Sequence, residues 1–148
     1  MIVLYDADCG FCRWAMAWAV RHDHEHLLVT VPIQSPLGSE LLVDLLPGDR
    51  LRSAHVVRDD GSLRSGGAAA ADVLDVLAPT RALAPLARGL PGITNLLYGL
   101  LAARRESVGR LVGGEARRRA DELLGATSVT TAEELADRDR RANELGVT

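Results

Sequence analysis

The only two cysteines of the chain, Cys9 and Cys12, stand three residues apart in the run Tyr5-Asp6-Ala7-Asp8-Cys9-Gly10-Phe11-Cys12. A C-x-x-C pair supports two kinds of chemistry: the sulfurs join and part as a dithiol/disulfide couple, or both deprotonate and hold a metal. The surroundings favour the first. Ile2-Val3-Leu4-Tyr5 is a short apolar run, and residues 11–21 carry helical periodicity, so the pair marks a strand-to-helix junction. At such a junction the orphan amides and the dipole of the helix start stabilise a thiolate over a thiol. Cys9, the earlier sulfur, is expected to be the attacking thiolate, and Cys12, in the first helical turn, to resolve the mixed disulfide. Arg13 adds a positive charge beside the pair, whereas Asp8 opposes a second negative one.

Asp6 lies at the end of the apolar run, and two roles are open to it. As a partly buried carboxylate it exchanges a proton with Cys12 during the reaction. As a loop cap it accepts backbone N–H bonds, as Asp commonly does before a turn. The metal alternative draws on Cys9-x2-Cys12-x9-His22-x3-His26, which resembles a Cys2His2 zinc pattern. Geometry opposes it. A helix from 12 to 22 rises ~1.5 Å per residue and separates Cys12 from His22 by about 15 Å, while zinc–ligand bonds are only ~2 Å long. No metal is expected, and His22, His24 and His26 read as the solvated end of that helix and the loop after it.

The elements that position these residues follow from periodicity. Residues 2–5 read as a buried strand, 11–21 as a helix with Phe11, Trp14 and Trp18 on one core-facing side, and 27–33 as a second strand parallel to the first. Ser35-Pro36 caps and starts a helix that Pro47-Gly48 stops. Residues 53–58 form a third strand, Asp59-Asp60-Gly61 turns the chain, 62–65 run back as a fourth strand, and Gly66-Gly67 opens a helix over 68–77. The order βαβ, α, ββα is the thioredoxin-like one: an α/β fold with a four-stranded mixed sheet flanked by helices. Residues 81–112 are expected to add one or two apolar helices, broken at Pro91-Gly92, as a cover within the same domain (1–112). Residues 113–148 read as a charged tail, helical or partly disordered. In it Thr131-Ala132-Glu133-Glu134 matches a capping box, so a helix is expected over 132–145 with Gly146 as its stop.

At 148 residues and 47% apolar content, the chain has the makings of one core without staples. Its net charge of −3 argues against nucleic-acid binding, which needs clustered cations to neutralise phosphates. Pro85, Arg88 and Pro91 interrupt the Leu/Ala-rich stretch 83–103 before it reaches the ~20 apolar residues of a membrane span. No leader is evident, and a cytoplasmic setting is expected, where a lone C-x-x-C is more often catalytic or metal-binding than structural.

Asp6-x-x-Cys9-x-x-Cys12, Pro32-Ile33-Gln34-Ser35, His55-Val56-Val57 and the Asp60-Gly61 hairpin together resemble the DCC family of thiol-disulfide oxidoreductases, named for its Asp-Cys-Cys motif. The resemblance covers residues 1–112. It implies a thioredoxin-like fold and dithiol–disulfide exchange with a protein or small-molecule substrate, fed by an electron donor the residues do not identify. No dissociable cofactor is implied, because the electrons reside on the sulfurs. The wider thioredoxin-like superfamily carries a cis-proline before the third strand, facing the C-x-x-C. Here that place reads Arg52-Ser53-Ala54, so either Ser53 and its neighbours supply the equivalent backbone contact or substrate binding differs. Gln34, at the end of the second strand, and Phe11, between the cysteines, complete the expected substrate contacts. A non-catalytic thioredoxin-like module, binding a partner through the apolar 83–103 stretch or the tail, is the other reading.

Overall fold

A computed structural model describes residues 1–144. Its centre is β1 (Ile2–Tyr5), which pairs in parallel with β2 (Val29–Pro32) and antiparallel with β3 (His55–Val57). β3 pairs antiparallel with β4 (Leu63–Ser65), giving the order β2-β1-β3-β4. This is the thioredoxin-like sheet expected from the order of the elements. Residue pairs Leu4–Val31 and Leu4–His55 fix the register across β2, β1 and β3.

Side chains alternate along a strand, and β1 is apolar at every position, so it serves two cores at once. Val3 and Tyr5 enter one cluster with Met16, Val56, Leu77 and Leu124. Leu4 enters the other with Val31, Ile33, Leu37, Leu42 and Val129. The first cluster lies beneath α1 (Gly10–His22), α4 (Gly67–Val76) and α7 (Gly114–Thr127); the second lies against α2 (Pro36–Leu41). In α2 a Cβ at Gly38 would collide with the carbonyl oxygen of Pro32, so only glycine lets the helix lie this close to β2.

The helix expected to stop at Pro47 ends earlier, at Leu41, and Pro47 instead starts a short helix, α3 (Pro47–Arg50). Proline at the first helical position loses no hydrogen bond and has its φ preset, so a Pro-Gly pair opens a turn as readily as it closes one. Trp14, expected in the core, is 37% exposed, because α1 buries Met16, Ala17 and Ala19 instead. Trp18 is half-buried and stacks on His22 at a ring-centroid distance of 4.4 Å.

After a 3-10 turn (Arg81–Leu83) come α5 (Ala84–Gly89) and α6 (Pro91–Leu111). α6 turns Thr94, Tyr98, Ala102, Arg105 and Gly109 inward, while Ile93, Leu96, Leu97 and Leu100 are more than half exposed. Its smaller and more polar side packs on α1 and α4, and its leucines face out.

The tail is built into the molecule. Ala120 and Leu124 of α7 are buried in the first core cluster. Residues 128–130 then lie along β2: the Val129 amide donates to Thr30 O at 2.9 Å, and the Ser128 hydroxyl bonds both Tyr5 and Thr30. This covers the free edge of the sheet. α8 (Ala132–Glu144) starts with the expected capping box, Thr131 Oγ1 accepting from the Glu134 amide while the Glu134 carboxylate accepts from the Thr131 amide. The Gly146 stop lies outside the described residues.

His55 on β3 is fully buried with both ring nitrogens engaged, Nε2 donating to Arg50 O at 2.9 Å and Nδ1 accepting from the Ser65 hydroxyl at 2.7 Å. A carbonyl only accepts, which sets the neutral tautomer with the proton on Nε2. Burial holds the His55 pKa below its ordinary value, against the opposing pull of the Arg50 carbonyl.

Two outcomes follow for stability. Leu124→Ala should lower the unfolding free energy by about 2–5 kcal/mol in urea titrations, since it empties a packed site. For His55 the unfolded state binds the proton more readily, so its contribution is complete above about pH 6.5 and declines as pH falls below that. Urea midpoints should therefore drop between pH 7.5 and 5, and less steeply in His55→Gln than in the wild type.

Candidate functional site

β1 ends at Tyr5, and four residues later the chain enters α1 with Cys9 as the N-cap in extended conformation. Cys9 and Cys12 are paired at disulfide distance, with their Cα atoms 5.2 Å apart. The Cys9 Sγ accepts a hydrogen bond from the Cys12 amide at 3.2 Å, so the sulfur occupies the place that an Asp or Ser oxygen fills at most helix starts. This amide is one of the orphan donors of the first turn.

The loop before Cys9 is tied down by polar contacts. Asp6 Oδ1 accepts from the Asp8 amide at 3.0 Å and from the Gln34 side-chain amide at 2.7 Å. Gln34 also donates to Asp8 Oδ2 at 3.3 Å and accepts from the Ala7 amide at 3.1 Å. One neutral amide thus bridges two carboxylates and a backbone donor. Asp6 Oδ2 faces Arg105 of α6 at 3.8 Å. The capping role weighed for Asp6 is therefore present. Arg13, expected to act on the cysteines, is 3.2 Å from Asp121 of α7, which offsets its charge.

Between the sheet, α1, α4 and α6 lies an apolar cavity of about 320 Å³. Cys12 lines it, and Cys9 does not. Asp6, Phe11 and Ser53 also line it, so three of the predicted residues meet Cys12 at one space; Gln34 stands apart from it, on the exposed side of the loop. Ser35, as expected, caps α2, accepting from the Gly38 amide at 3.0 Å. Ser65 is engaged with His55. The zinc pattern does not assemble: among the described residues no three His, Cys, Asp or Glu side chains stand so that they could hold a metal ion, and His22 Nδ1 bonds Trp18 O at 2.8 Å, a full helix length from the cysteines.

A family model described as DCC1-like thiol-disulfide oxidoreductase matches residues 3–111. The chain belongs to that family. No curated protein and no solved structure matches it. In this DCC1-like chain no described peptide bond is cis, and the Ala54 amide, just after Ser53, donates to the Tyr98 hydroxyl at 2.7 Å. The backbone donor expected to meet a substrate at this place is thus taken by α6. Burial pushes the Tyr98 phenol up, with the Ala54 bond and Arg105 pulling the other way, so the group stays a neutral hydroxyl near pH 7.

Tyr98 and Arg105 were missed in the sequence because 81–112 read only as an apolar cover. The signal was there: Thr94, Tyr98, Ala102, Arg105 and Gly109 recur at helical spacing on one face. Gly109 brings that face close to the start of α1, where a Cβ would stand 3.2 Å from the Phe11 amide nitrogen. Arg117 of α7 donates to the Gly109 carbonyl, joining the end of α6 to α7 beside the site.

Replacing Gln34 tests the loop. Gln34→Ala should cost about 0.5–1.5 kcal/mol in chemical denaturation at pH 7. Gln34→Glu should cost more than Gln34→Ala, because it removes the donors and sets a third carboxylate beside Asp6 and Asp8. Midpoints equal to that of the wild type in both variants would mean the bridge carries no weight.

Proposed function

We propose that this protein is a thiol-disulfide oxidoreductase in which Cys9 attacks and Cys12 resolves. The observation that carries the reading is the position of the pair: two sulfurs within bonding reach at the mouth of α1, with the Cys12 amide donated to Cys9 Sγ. In the reduced protein the Cys9 thiolate attacks a substrate disulfide, forming a Cys9–substrate bond and releasing one substrate thiolate. Cys12 then gives its proton to Asp6, which lines the same cavity, and its sulfur attacks Cys9, releasing the second thiol. One substrate disulfide becomes two thiols, and the protein dithiol becomes a disulfide.

Ser53 and Phe11 line the space beside Cys12 and contact the substrate there, while Gln34 holds the loop and meets whatever approaches Cys9 from solvent. Residues 1–112 carry this chemistry, and the segment from 113 supports it. The reducing cytoplasm suits such a pair, since its resting state there is the dithiol. Substrates are disulfide-bearing proteins or small molecules.

A Cys12→Ser variant should retain substrates as mixed disulfides on Cys9, recovered on a non-reducing gel and released by dithiothreitol; Cys9→Ser should retain none. If the Cys12→Ser trap stays empty and Cys9 alkylates no faster than a free model thiol, the proposal falls.

A further inference from the structure

The two sulfurs of the pair face different surroundings. Cys9 Sγ caps α1 and lies outside the cavity, whereas Cys12 forms part of the cavity wall. Most of the remaining wall is apolar, with Val3, Met16 and Val56 from one side and Val73 and Leu77 from another. Its volume of about 320 Å³ reaches the range of small-molecule pockets, far above what a single water needs. Few polar side chains line it: Asp6, Ser53, Arg105, and the two tyrosines Tyr5 and Tyr98, whose hydroxyls are engaged by Ser128 and the Ala54 amide. Leu101 lines the cavity and is 42% exposed, so it marks the mouth on α6. A cavity so lined disfavours water and charged thiols and favours an apolar molecule.

From this asymmetry we infer that the cavity is a binding site for a small apolar thiol, which reduces the protein disulfide by attacking Cys12 from inside while Cys9 serves partners arriving from solvent. The inference rests on the exchange reading above and names the class of its electron donor. The thiol sulfur bonds to Cys12 Sγ, the Cys9–Cys12 bond breaks, and Cys9 departs as a thiolate already positioned to accept the Cys12 amide. A leaving sulfur stabilised as thiolate leaves faster, which makes Cys12 the favoured point of attack from this side. The incoming thiol's proton passes to Asp6, the one carboxylate lining the cavity. A second thiol of the same class attacks the bound donor's sulfur, and Cys12 leaves as a thiol. Two donor thiols are oxidised to one donor disulfide, and the protein disulfide is reduced to the dithiol.

The test uses the oxidised full chain and two probes, benzyl mercaptan and 2-mercaptoethanol, with reduction followed by stopped-flow and the adduct located by acid quench and peptide mapping. Benzyl mercaptan should react at least 10-fold faster, with a rate that saturates in its concentration, and the trapped adduct should sit on Cys12. Val73→Trp, which fills the cavity from α4, should bring the ratio of the two rates toward one; Ala102→Leu, which narrows it from α6, should lower the ratio as well and serves if the larger substitution does not fold. Equal rates for the two probes in the wild type, an adduct on Cys9, or a ratio untouched by a folded cavity variant would each overturn the inference while leaving exchange through Cys9 standing. If neither probe reduces the protein faster than a model disulfide, the exchange reading falls and the inference falls with it.

Discussion

The first turn of any α-helix has amides that no helical carbonyl can reach, and in this protein a sulfur takes one of them. Because Cys9 is the cap of α1, its Sγ is held against the Cys12 amide in the same geometry that brings the two sulfurs within bonding distance. Capping and sulfur pairing therefore make the same demand on the backbone. The rest of the molecule serves that demand: β1 delivers the chain to the helix start, Gln34 from the end of β2 ties down the intervening loop, and the end of α6 presses on Phe11 from the other side.

The site has two unlike faces as a consequence. Toward solvent it presents a cluster of carboxylates bridged by one amide; toward the interior it presents Cys12 to an apolar space closed by Tyr98 and Arg105 of α6. The Tyr98 hydroxyl accepts from the Ala54 amide, so this backbone donor is already engaged. The helix that follows the sheet thus closes one side of the cavity with its side chains. The same helix turns its leucines outward, the reverse of the usual arrangement, since its inner side had to be small enough to approach α1 and α4.

The family match ends at residue 111, yet the core does not. Ala120 and Leu124 pack under α1, and residues 128–130 cover the edge of β2, so the charged segment that follows the matched span contributes both apolar burial and edge protection. Most of its charges lie on the exposed sides of α7 and α8, where Arg119 pairs with Glu115 and Arg140 with Asp137, while Arg117 and Arg138 reach the Gly109 and Leu28 carbonyls. So many charged residues along the segment mask the few apolar positions that are buried.

Local sequence was enough to determine what depends on neighbours along the chain. The strand-to-helix junction at Cys9, the Ser35 cap, the Asp59-Asp60-Gly61 turn and the Thr131–Glu134 capping box all arise from hydrogen bonds spanning two to four residues, and the alternation of β strands and helices implied the sheet. What required the folded chain were contacts between distant residues: Gln34 reaching across to Asp6 and Asp8, Tyr98 finding the Ala54 amide, Asp121 offsetting Arg13, and Leu124 entering the core. Periodicity states that a helix has two faces, but which face is buried is decided by the space its neighbours leave. That is why α6, which reads in sequence as an apolar cover, forms instead one wall of the cavity beside Cys12.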